Sequence, residues 1–287
     1  MATGLNIDTP TGEFGFNDID FERVRKLIYS YAGISLSDSK RQMVYSRLGR
    51  RLRALDLRTF DVYLDYLESG DPAEKEAFVN ALTTNLTAFF REPHHFPVLA
   101  EHARRAGKRA YVVWCSASST GEEPYSIAMT LIETLGANAD IHILATDVDT
   151  SVLEKADQGV YPTERIEKMP GEQVRRFFLR GTGERSGFVK VRPEVRQLIT
   201  FRQVNLLEPN WPVRGPIDAI FCRNVMIYFD KQTQYEILRR FAPLLAADGL
   251  LFAGHSESFH HAANLFRLRG KTVYEPLPAT KAKQGHA

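Results

Sequence analysis

The sequence predicts an α/β protein in which a small all-α domain precedes a doubly wound, mostly parallel sheet. Residues 18–67 carry apolar residues at helical spacing throughout, whereas from residue 110 onward short apolar runs alternate with helical patterns. Such alternation is typical of a parallel sheet covered by helices on both faces. The length of 287 residues also exceeds the usual size of a single domain and favours two.

The composition is that of a globular protein, with 44% hydrophobic residues. No stretch approaches the roughly 20 apolar residues of a membrane span. The amino terminus also lacks a basic flank followed by an apolar run, and we therefore expect a cytoplasmic protein. Cys115 and Cys222 each end an apolar run, which favours reduced core residues over a disulfide framework.

The predicted helical domain spans residues 18–84, after a segment, 1–17, that we expect to be disordered. Three amphipathic helices are followed by a fourth from Glu74 to Thr83. Between Phe21 and Arg58 ten Arg and Lys stand against three acids, so this segment carries +7 on a chain of net charge +2. A basic segment of this kind indicates an acidic partner, which could be nucleic acid, a membrane surface or an acidic protein face.

Four arginines of the second helix flank or oppose its apolar stripe, and we expect them to project outward together. They are Arg47, Arg50, Arg51 and Arg53. The alternative is an ordinary solvated helix face with no partner.

Residues 85–97 are predicted to link the two domains without regular structure. Pro93 and Pro97 are not expected inside a helix. Asn85, Thr87 and Arg91 are polar residues among apolar ones, which suggests either a site or simple helix caps.

From residue 98 to residue 287 we expect one α/β domain. Strands are predicted at 111–115, 141–146, 198–204, 217–222 and 249–254, with helices at 125–135, 150–157 and 232–245. A small antiparallel β-subdomain, at about 172–200, interrupts the alternation, and its exposed edge could accept a partner strand. A turn at Gly270 and Lys271 predicts a closing hairpin.

The stretch from Tyr111 to Pro124 reads as a buried strand, a turn and the start of a helix. In doubly wound folds a ligand lies at this point, with an acid from a later strand end on its ribose, and Asp147 has the position for that acid. The turn has one glycine, Gly121, where a dinucleotide site needs three. Glu122 and Glu123 would repel a phosphate, so the charge favours a cationic ligand such as S-adenosylmethionine over NAD.

Polar residues also follow other predicted strands, although each could be only a cap or a turn. They are Asn205 and Leu206, Arg223 and Asn224, Tyr228 and Asp230, and the run from His255 to Glu257. We expect no metal site, because His94-His95 and His260-His261 are adjacent pairs without carboxylates or cysteines at ligand spacing.

Five separated motifs, in order, resemble the chemotaxis receptor glutamate methyltransferase family, the CheR type. They are TTNLTAFFREPHHF, STGEEPYSIAM, VNLLE, the stretch from Asp218 to Asp230, and GLLFAGHSES. The resemblance implies a bacterial enzyme of chemotactic adaptation with a Rossmann-like methyltransferase domain. The implied cofactor is S-adenosylmethionine, with S-adenosylhomocysteine as product.

The resemblance also implies roles for individual residues. The donor site would comprise Asn85, Thr87, Arg91, Glu123, Asp147, Asn205, Leu206, Arg223 and Asn224. The basic helix, with Arg47, Arg50, Arg51 and Arg53, would hold the receptor's methylation helix. In some members the β-subdomain grips a receptor's carboxyl-terminal peptide by strand addition, and RGTGERSGFVKVR looks like those members.

The expected reaction is transfer of a methyl group to a glutamate side chain in the cytoplasmic domain of a transmembrane chemoreceptor. No general base is needed, because a glutamate is already ionised near neutral pH. Arg91, and with it Tyr228, would orient the carboxylate. We expect a monomer without a nucleic-acid partner. The alternatives are a methyltransferase acting on nucleic acid or another acidic protein, and a non-catalytic donor-binding module.

Overall fold

The computed structural model describes residues 13–107 and 109–278. The chain divides into two compact units, one ending at Thr84 and the other beginning at Asn85. Residues 1–12, most of the segment expected to be disordered, lie outside the described residues. No helix within the two described ranges is long and apolar enough to cross a membrane.

Within residues 13–84 the first unit has four α-helices. They are α1 (Asp18–Ala32), α2 (Arg41–Ala54), α3 (Phe60–Glu68) and α4 (Pro72–Leu82). Asn17 and Asp20 form a reciprocal capping box at the start of α1, and Asp71 caps α4 just before Pro72. The apolar stripes meet in a core that includes Val24, Ile28, Val44, Leu48, Leu52 and Leu64, all without solvent exposure.

The second unit alternates strands and helices, and the predicted α/β fold class is confirmed. Its strands are β1 (Tyr111–Cys115), β2 (Ile141–Asp147), β3 (Val160–Pro162), β4 (Phe178–Arg180), β5 (Phe188–Val191), β6 (Ile199–Gln203), β7 (Ile217–Cys222), β8 (Leu245–Ala253), β9 (Phe266–Gly270) and β10 (Val273–Pro276). Its helices are α5 (His95–Ala106), α6 (Glu122–Leu135), α7 (Thr150–Gln158), α8 (Gly171–Phe177), α9 (Pro193–Arg196) and α10 (Lys231–Phe241).

Seven strands form the main sheet in the order β6-β2-β1-β7-β8-β10-β9. The first five of these are parallel, and β10 and β9 close the sheet as the predicted antiparallel hairpin. The strand order reverses between β1 and β7, and ligands of open α/β sheets bind outside the carboxyl ends of the strands at such a point.

Both faces of the main sheet are covered, as a parallel sheet requires. On one face Val113 and Phe221 pack with Leu99 of α5 and Ile127 of α6. On the other face Trp114, Ile220 and Leu251 pack with Leu238 and Phe241 of α10. The strands therefore have little freedom to shift, and the loops at their carboxyl ends are held in place from both sides.

The β-subdomain is a three-stranded antiparallel sheet in the order β3-β5-β4. It begins at Val160, earlier than the predicted 172. The sequence did not indicate β3, because a strand of three residues is too short to show a period. Pro97 is a second difference, since it lies inside α5. It occupies the first turn, where the backbone N–H would have no helical partner in any case.

Candidate functional site

The polar residues predicted at the strand ends meet at the carboxyl edge of the parallel sheet. Asp147 ends β2, Glu123 lies in the first turn of α6, and Arg223 follows β7. His255 follows β8. The crevice at the switch between β1 and β7 is thus lined from four neighbouring chain segments.

Arg223 lies at the base of this crevice, with a side chain that is only 1% exposed. It forms ion pairs with Glu123 at 2.5 Å and with Glu92 at 3.3 Å, and it also donates to the carbonyl of Arg91. Two carboxylates and one guanidinium leave this buried triad one excess negative charge. A cationic ligand therefore suits the site, whereas a phosphate would be repelled.

The expectation that Glu122 and Glu123 repel a phosphate directly needs correction. Glu123 is paired with Arg223 and also accepts a hydrogen bond from the Cys115 thiol. Glu122 is fully buried, accepts from the Thr120 hydroxyl and lies 3.6 Å from Arg165. The excess negative charge of the triad comes from Glu92.

Glu92 is the main site residue that sequence reasoning missed. One of its oxygens accepts from the backbone N–H of His255 at 3.1 Å and contacts the His255 ring at Nδ1 at 3.0 Å. Burial alone would raise the pKa of Glu92, but these hydrogen bonds and the charge of Arg223 lower it to about 2. Its backbone is left-handed, at φ 54°, a feature that no sequence pattern announces.

Asp147 keeps hydrogen-bonding capacity for a ligand. Its two oxygens accept from the backbone N–H groups of Ser119 at 2.8 Å and Asp149 at 3.1 Å, which leaves further lone pairs on each. Desolvation raises the pKa of Asp147 to about 6 despite these hydrogen bonds. The half-buried carboxylate is suited to accept hydroxyl donors.

The 85–91 loop is anchored to the same edge of the sheet. The Asn85 side chain donates to Asp149 at 2.9 Å, the Thr87 carbonyl accepts from Arg165 at 3.0 Å, and Arg91 donates to the Leu86 carbonyl at 2.8 Å. The side chains of Asn85, Thr87 and Arg91 are half-buried. The Asn85 side chain thus lies at the carboxyl end of β2, and the backbone of Arg91 lies against Arg223.

Asn205 and Leu206 follow β6 in a tight turn. The Asn205 side chain accepts from the Leu207 N–H at 3.0 Å, and Leu206 packs into the core beside Trp114. Arg240 fixes the turn by donating to the Leu206 carbonyl and stacking on Trp211 at 3.5 Å. This part of the crevice is accordingly held by contacts with α10 and the core.

The segment after β7 is held by Glu257, which sequence reasoning named as a strand-end residue with a cap or a turn as the alternative. This buried carboxylate accepts from the backbone N–H groups of Gly254, Asn224, Val225 and Met226. Desolvation raises the pKa of Glu257 although all four hydrogen bonds oppose it. A Cβ at position 254 would collide with the Asn224 side chain, so glycine is required there. Tyr228, at the end of this segment, is half-buried.

The sequence suggested that all four arginines of α2 project outward together, but Arg47 and Arg51 do not. Arg47 donates to the carbonyls of Ala81 and Thr83 at the end of α4. Arg51 forms a two-point ion pair with Glu74, which is 3% exposed. Helical spacing predicts on which face of α2 each arginine lies, but it does not predict that Arg47 and Arg51 bind groups of α4.

The other two arginines of α2 are exposed. Arg53 pairs with Glu13, and both side chains are more than half exposed. Arg50 is exposed as well. These are the α2 cations that are open to a partner.

The expectation that His94 and His95 have no carboxylate at ligand spacing is wrong. The nearest ligand atoms of Glu92, His94 and His95 lie within 4.8 Å of one another. Glu92 is already paired with Arg223 and His255, and a metal ion there would lie beside the Arg223 guanidinium. The repulsion between these cations disfavours a metal site.

Comparisons with known proteins agree with this arrangement. Residues 85–275 match the family model described as "CheR methyltransferase, SAM binding domain", and residues 19–83 match "CheR methyltransferase, all-alpha domain". "Chemotaxis protein methyltransferase 2" of Pseudomonas aeruginosa is 57% identical over 267 residues, covering 92% of this chain and 95% of that protein. "Chemotaxis protein methyltransferase" of Escherichia coli is 57% identical over 266 residues, covering 92% of this chain and 93% of that protein.

Proposed function

Because the chain belongs to the CheR methyltransferase family, we propose that it methylates chemotaxis receptors. The reaction transfers a methyl group from S-adenosylmethionine to glutamate side chains and gives methyl esters that adjust receptor signalling. The observation that carries this function is the match of both family models, together with relatives named as chemotaxis methyltransferases over more than nine tenths of the chain.

The chemistry of the crevice fits S-adenosylmethionine. The excess negative charge of the Glu92, Arg223 and Glu123 triad suits a cation, and Asp147 retains lone pairs for ribose hydroxyls. The residues proposed to hold the donor are Asn85, Thr87, Arg91, Glu123, Asp147, Asn205, Leu206, Arg223 and Asn224. When bound, the donor supplies a methyl carbon on a sulfonium, and its carbon–sulfur bond breaks as the carboxylate oxygen takes the methyl group.

The protein's part in this reaction is to align the acceptor carboxylate and exclude water. A glutamate with a reference pKa of about 4.3 is ionised near neutral pH, so the site needs no general base. Arg91 and Tyr228 orient the carboxylate in this proposal. The Arg91 guanidinium has N–H groups beyond the one that donates to Leu86, and the Tyr228 hydroxyl has no hydrogen-bonding partner among the described residues.

The first unit supplies receptor recognition in this proposal. Arg50 and Arg53 contact the acidic receptor segment, because both are exposed, while Arg47 and Arg51 support the helix that presents them. The edge strands β3 and β4 of the small sheet are the proposed site of a receptor's carboxyl-terminal peptide. The receptor's cytoplasmic domain is the proposed partner, and the enzyme acts in the cytoplasm as a monomer.

A methylation assay tests the proposal. Purified protein with radioactive methyl donor should label receptor-enriched bacterial membranes, and mild base should release the label as expected for an ester. Arg91→Ala should abolish labelling. Label that appears in RNA instead, or donor binding without any transfer, would overturn the proposal.

A further inference from the structure

We propose that Tyr161 and Arg165 of the β-subdomain are positioning residues for the methyl donor, because they hold the two chain segments that line its site. Tyr161 lies in β3, and Arg165 lies in the turn that follows it. The inference rests on the proposed donor site and adds two residues to its support. The β-subdomain thereby has a part in donor binding, besides the peptide site proposed on its edges.

The first segment is the turn between β1 and α6, which contains two residues in a left-handed backbone conformation. Ser119 lies at φ 47° and Gly121 at φ 96°. A left-handed residue other than glycine persists only where its surroundings hold it. The Tyr161 hydroxyl donates to the carbonyl of Thr120, between these two residues, at 2.6 Å. A Cβ at position 121 would meet that hydroxyl at 2.8 Å, so glycine allows the approach.

This turn also orients Asp147, the proposed acceptor of the donor's ribose hydroxyls. The backbone N–H of Ser119 donates to one Asp147 oxygen at 2.8 Å. Burial raises the pKa of Tyr161 well above its ordinary value, so its hydroxyl stays protonated and can donate to the turn at neutral pH. Tyr161 thus acts on the donor through the turn and not by contact with the donor.

Arg165 connects the β-subdomain to both segments. It donates to the Thr87 carbonyl in the 85–91 loop at 3.0 Å, and it lies 3.6 Å from the Glu122 carboxylate at the start of α6. Within the described ranges, the Glu122 oxygen that faces Arg165 is buried without a hydrogen-bonding partner. Arg165 is also the one cation of those ranges that forms an ion pair with Glu122. Its guanidinium therefore holds the loop against the start of the helix.

Aromatic packing holds the 85–91 loop from the same side. The Phe89 ring, 9% exposed, packs edge-on against Tyr161 at 5.0 Å between centroids and against Phe178 of β4 at 5.4 Å. Phe90, the next residue, is left-handed at φ 52°, so this part of the loop also needs support from its surroundings. Two strands of the β-subdomain provide that support.

Loss of these contacts should affect donor binding more than the transfer step. A site whose segments are held in the bound conformation binds with its full affinity, whereas a site that is competent for part of the time loses affinity by that fraction. At saturating donor every molecule is in the bound conformation, so kcat should stay close to the wild-type value. A purely structural defect would instead lower the melting temperature and leave donor affinity unchanged.

Tyr161→Phe removes the hydroxyl and keeps the ring beside Phe89. We expect the Kd for S-adenosylmethionine and for S-adenosylhomocysteine, measured by calorimetry on the full chain, to rise about fivefold, as for the loss of one hydrogen bond. Tyr125→Phe is the matched control, because the Tyr125 hydroxyl is also buried and donates to the Ala156 carbonyl of α7 at 2.7 Å. Both variants should lower the melting temperature by similar amounts, but Tyr125→Phe should leave the donor Kd unchanged.

Arg165→Met tests the contact with the 85–91 loop. The donor Kd should again rise about fivefold, while the KM for receptor-enriched membranes stays close to the wild-type value. Arg196→Met is the control, because Arg196 also donates to a backbone carbonyl, that of Asp157 at 2.6 Å, outside both segments. This variant should leave the donor Kd unchanged.

An unchanged donor Kd in Tyr161→Phe or in Arg165→Met would overturn the proposal. An equal rise in the two control variants, or a rise in the receptor KM in place of the donor Kd, would overturn it as well. Failure of the proposed function would be visible separately, as a wild type that binds the donor without methylating receptors.

Discussion

Arg223 and Glu123 form a buried ion pair that joins the end of β7 to the first turn of α6. Their side chains are 1% and 11% exposed. Glu92, from the 85–94 segment, contacts the same guanidinium. Arg223 therefore connects three parts of the chain that are far apart in sequence.

Arg223→Met should destabilise the protein and abolish donor binding. Glu123 and Glu92 would be left without the guanidinium that balances their charge, at a cost of about 3–5 kcal/mol in the free energy of unfolding. Urea denaturation measures this loss. Adding Glu123→Gln should recover part of the stability but none of the donor affinity, and a double variant as unstable as the single one would contradict the ion pair as the cause.

Asp147→Asn should weaken donor binding and change how stability depends on pH. The folded pKa of about 6 lies above the unfolded value of about 3.9, so the folded state binds more protons in this window. Ionisation of Asp147 therefore lowers the stability of the wild type as pH rises from about 4 to 6. The stability of Asp147→Asn relative to wild type should rise over this range, as urea titrations at several pH values would detect. A constant difference would exclude the raised pKa.

Arg50→Glu and Arg51→Met should separate receptor binding from folding. Arg50 is exposed, so Arg50→Glu should lower receptor methylation without changing the melting temperature. Arg51→Met leaves the buried Glu74 without its cation and should cost about 3 kcal/mol of stability in the first unit. Equal melting temperatures for the two variants would contradict the ion pair between Arg51 and Glu74.

Glu257→Gln should loosen the segment that follows β7. The amide group would place donors against backbone N–H groups that now share a carboxylate, at a cost of about 1–3 kcal/mol. Donor affinity should fall with stability, because Arg223 and Asn224 belong to this segment. Glu236→Gln, which changes an exposed pair with Arg239, serves as the control and should have no effect.

The main features of the fold were predictable because they depend on periodicity. Strands and helices differ in period, so the alternation that leads to β1, β2 and β7 is visible in the sequence, and with it the strand-end positions of Asp147 and Arg223. The acids of the first turn also led to the correct donor. In the structure, however, Arg223 balances the charge of Glu123, and the excess negative charge lies on Glu92.

Partners between distant segments could not be predicted in the same way. Asn224 and Glu92 are 132 residues apart, and no local pattern indicates that they meet. Arg50 and Arg51 are neighbours on one helix, but only the packing of α4 makes one exposed and gives the other a buried partner. Glu257 resembles any polar residue after a strand, and its function as an acceptor of four backbone N–H groups depends on the fold of the preceding loop.

The ion triad also has a consequence for the order in which the protein becomes active during synthesis. Arg223 must be translated before Glu92 and Glu123 acquire their partner, and Glu257 must follow to hold the Arg223 segment. A nascent chain that stops before β8 can complete many of its local helices, but it lacks the strand that pairs with β7 and the Glu257 carboxylate that holds the Arg223 segment. Donor affinity therefore reports completion of the fold, and a ribosome-bound fragment that ends before residue 245 is expected to have none.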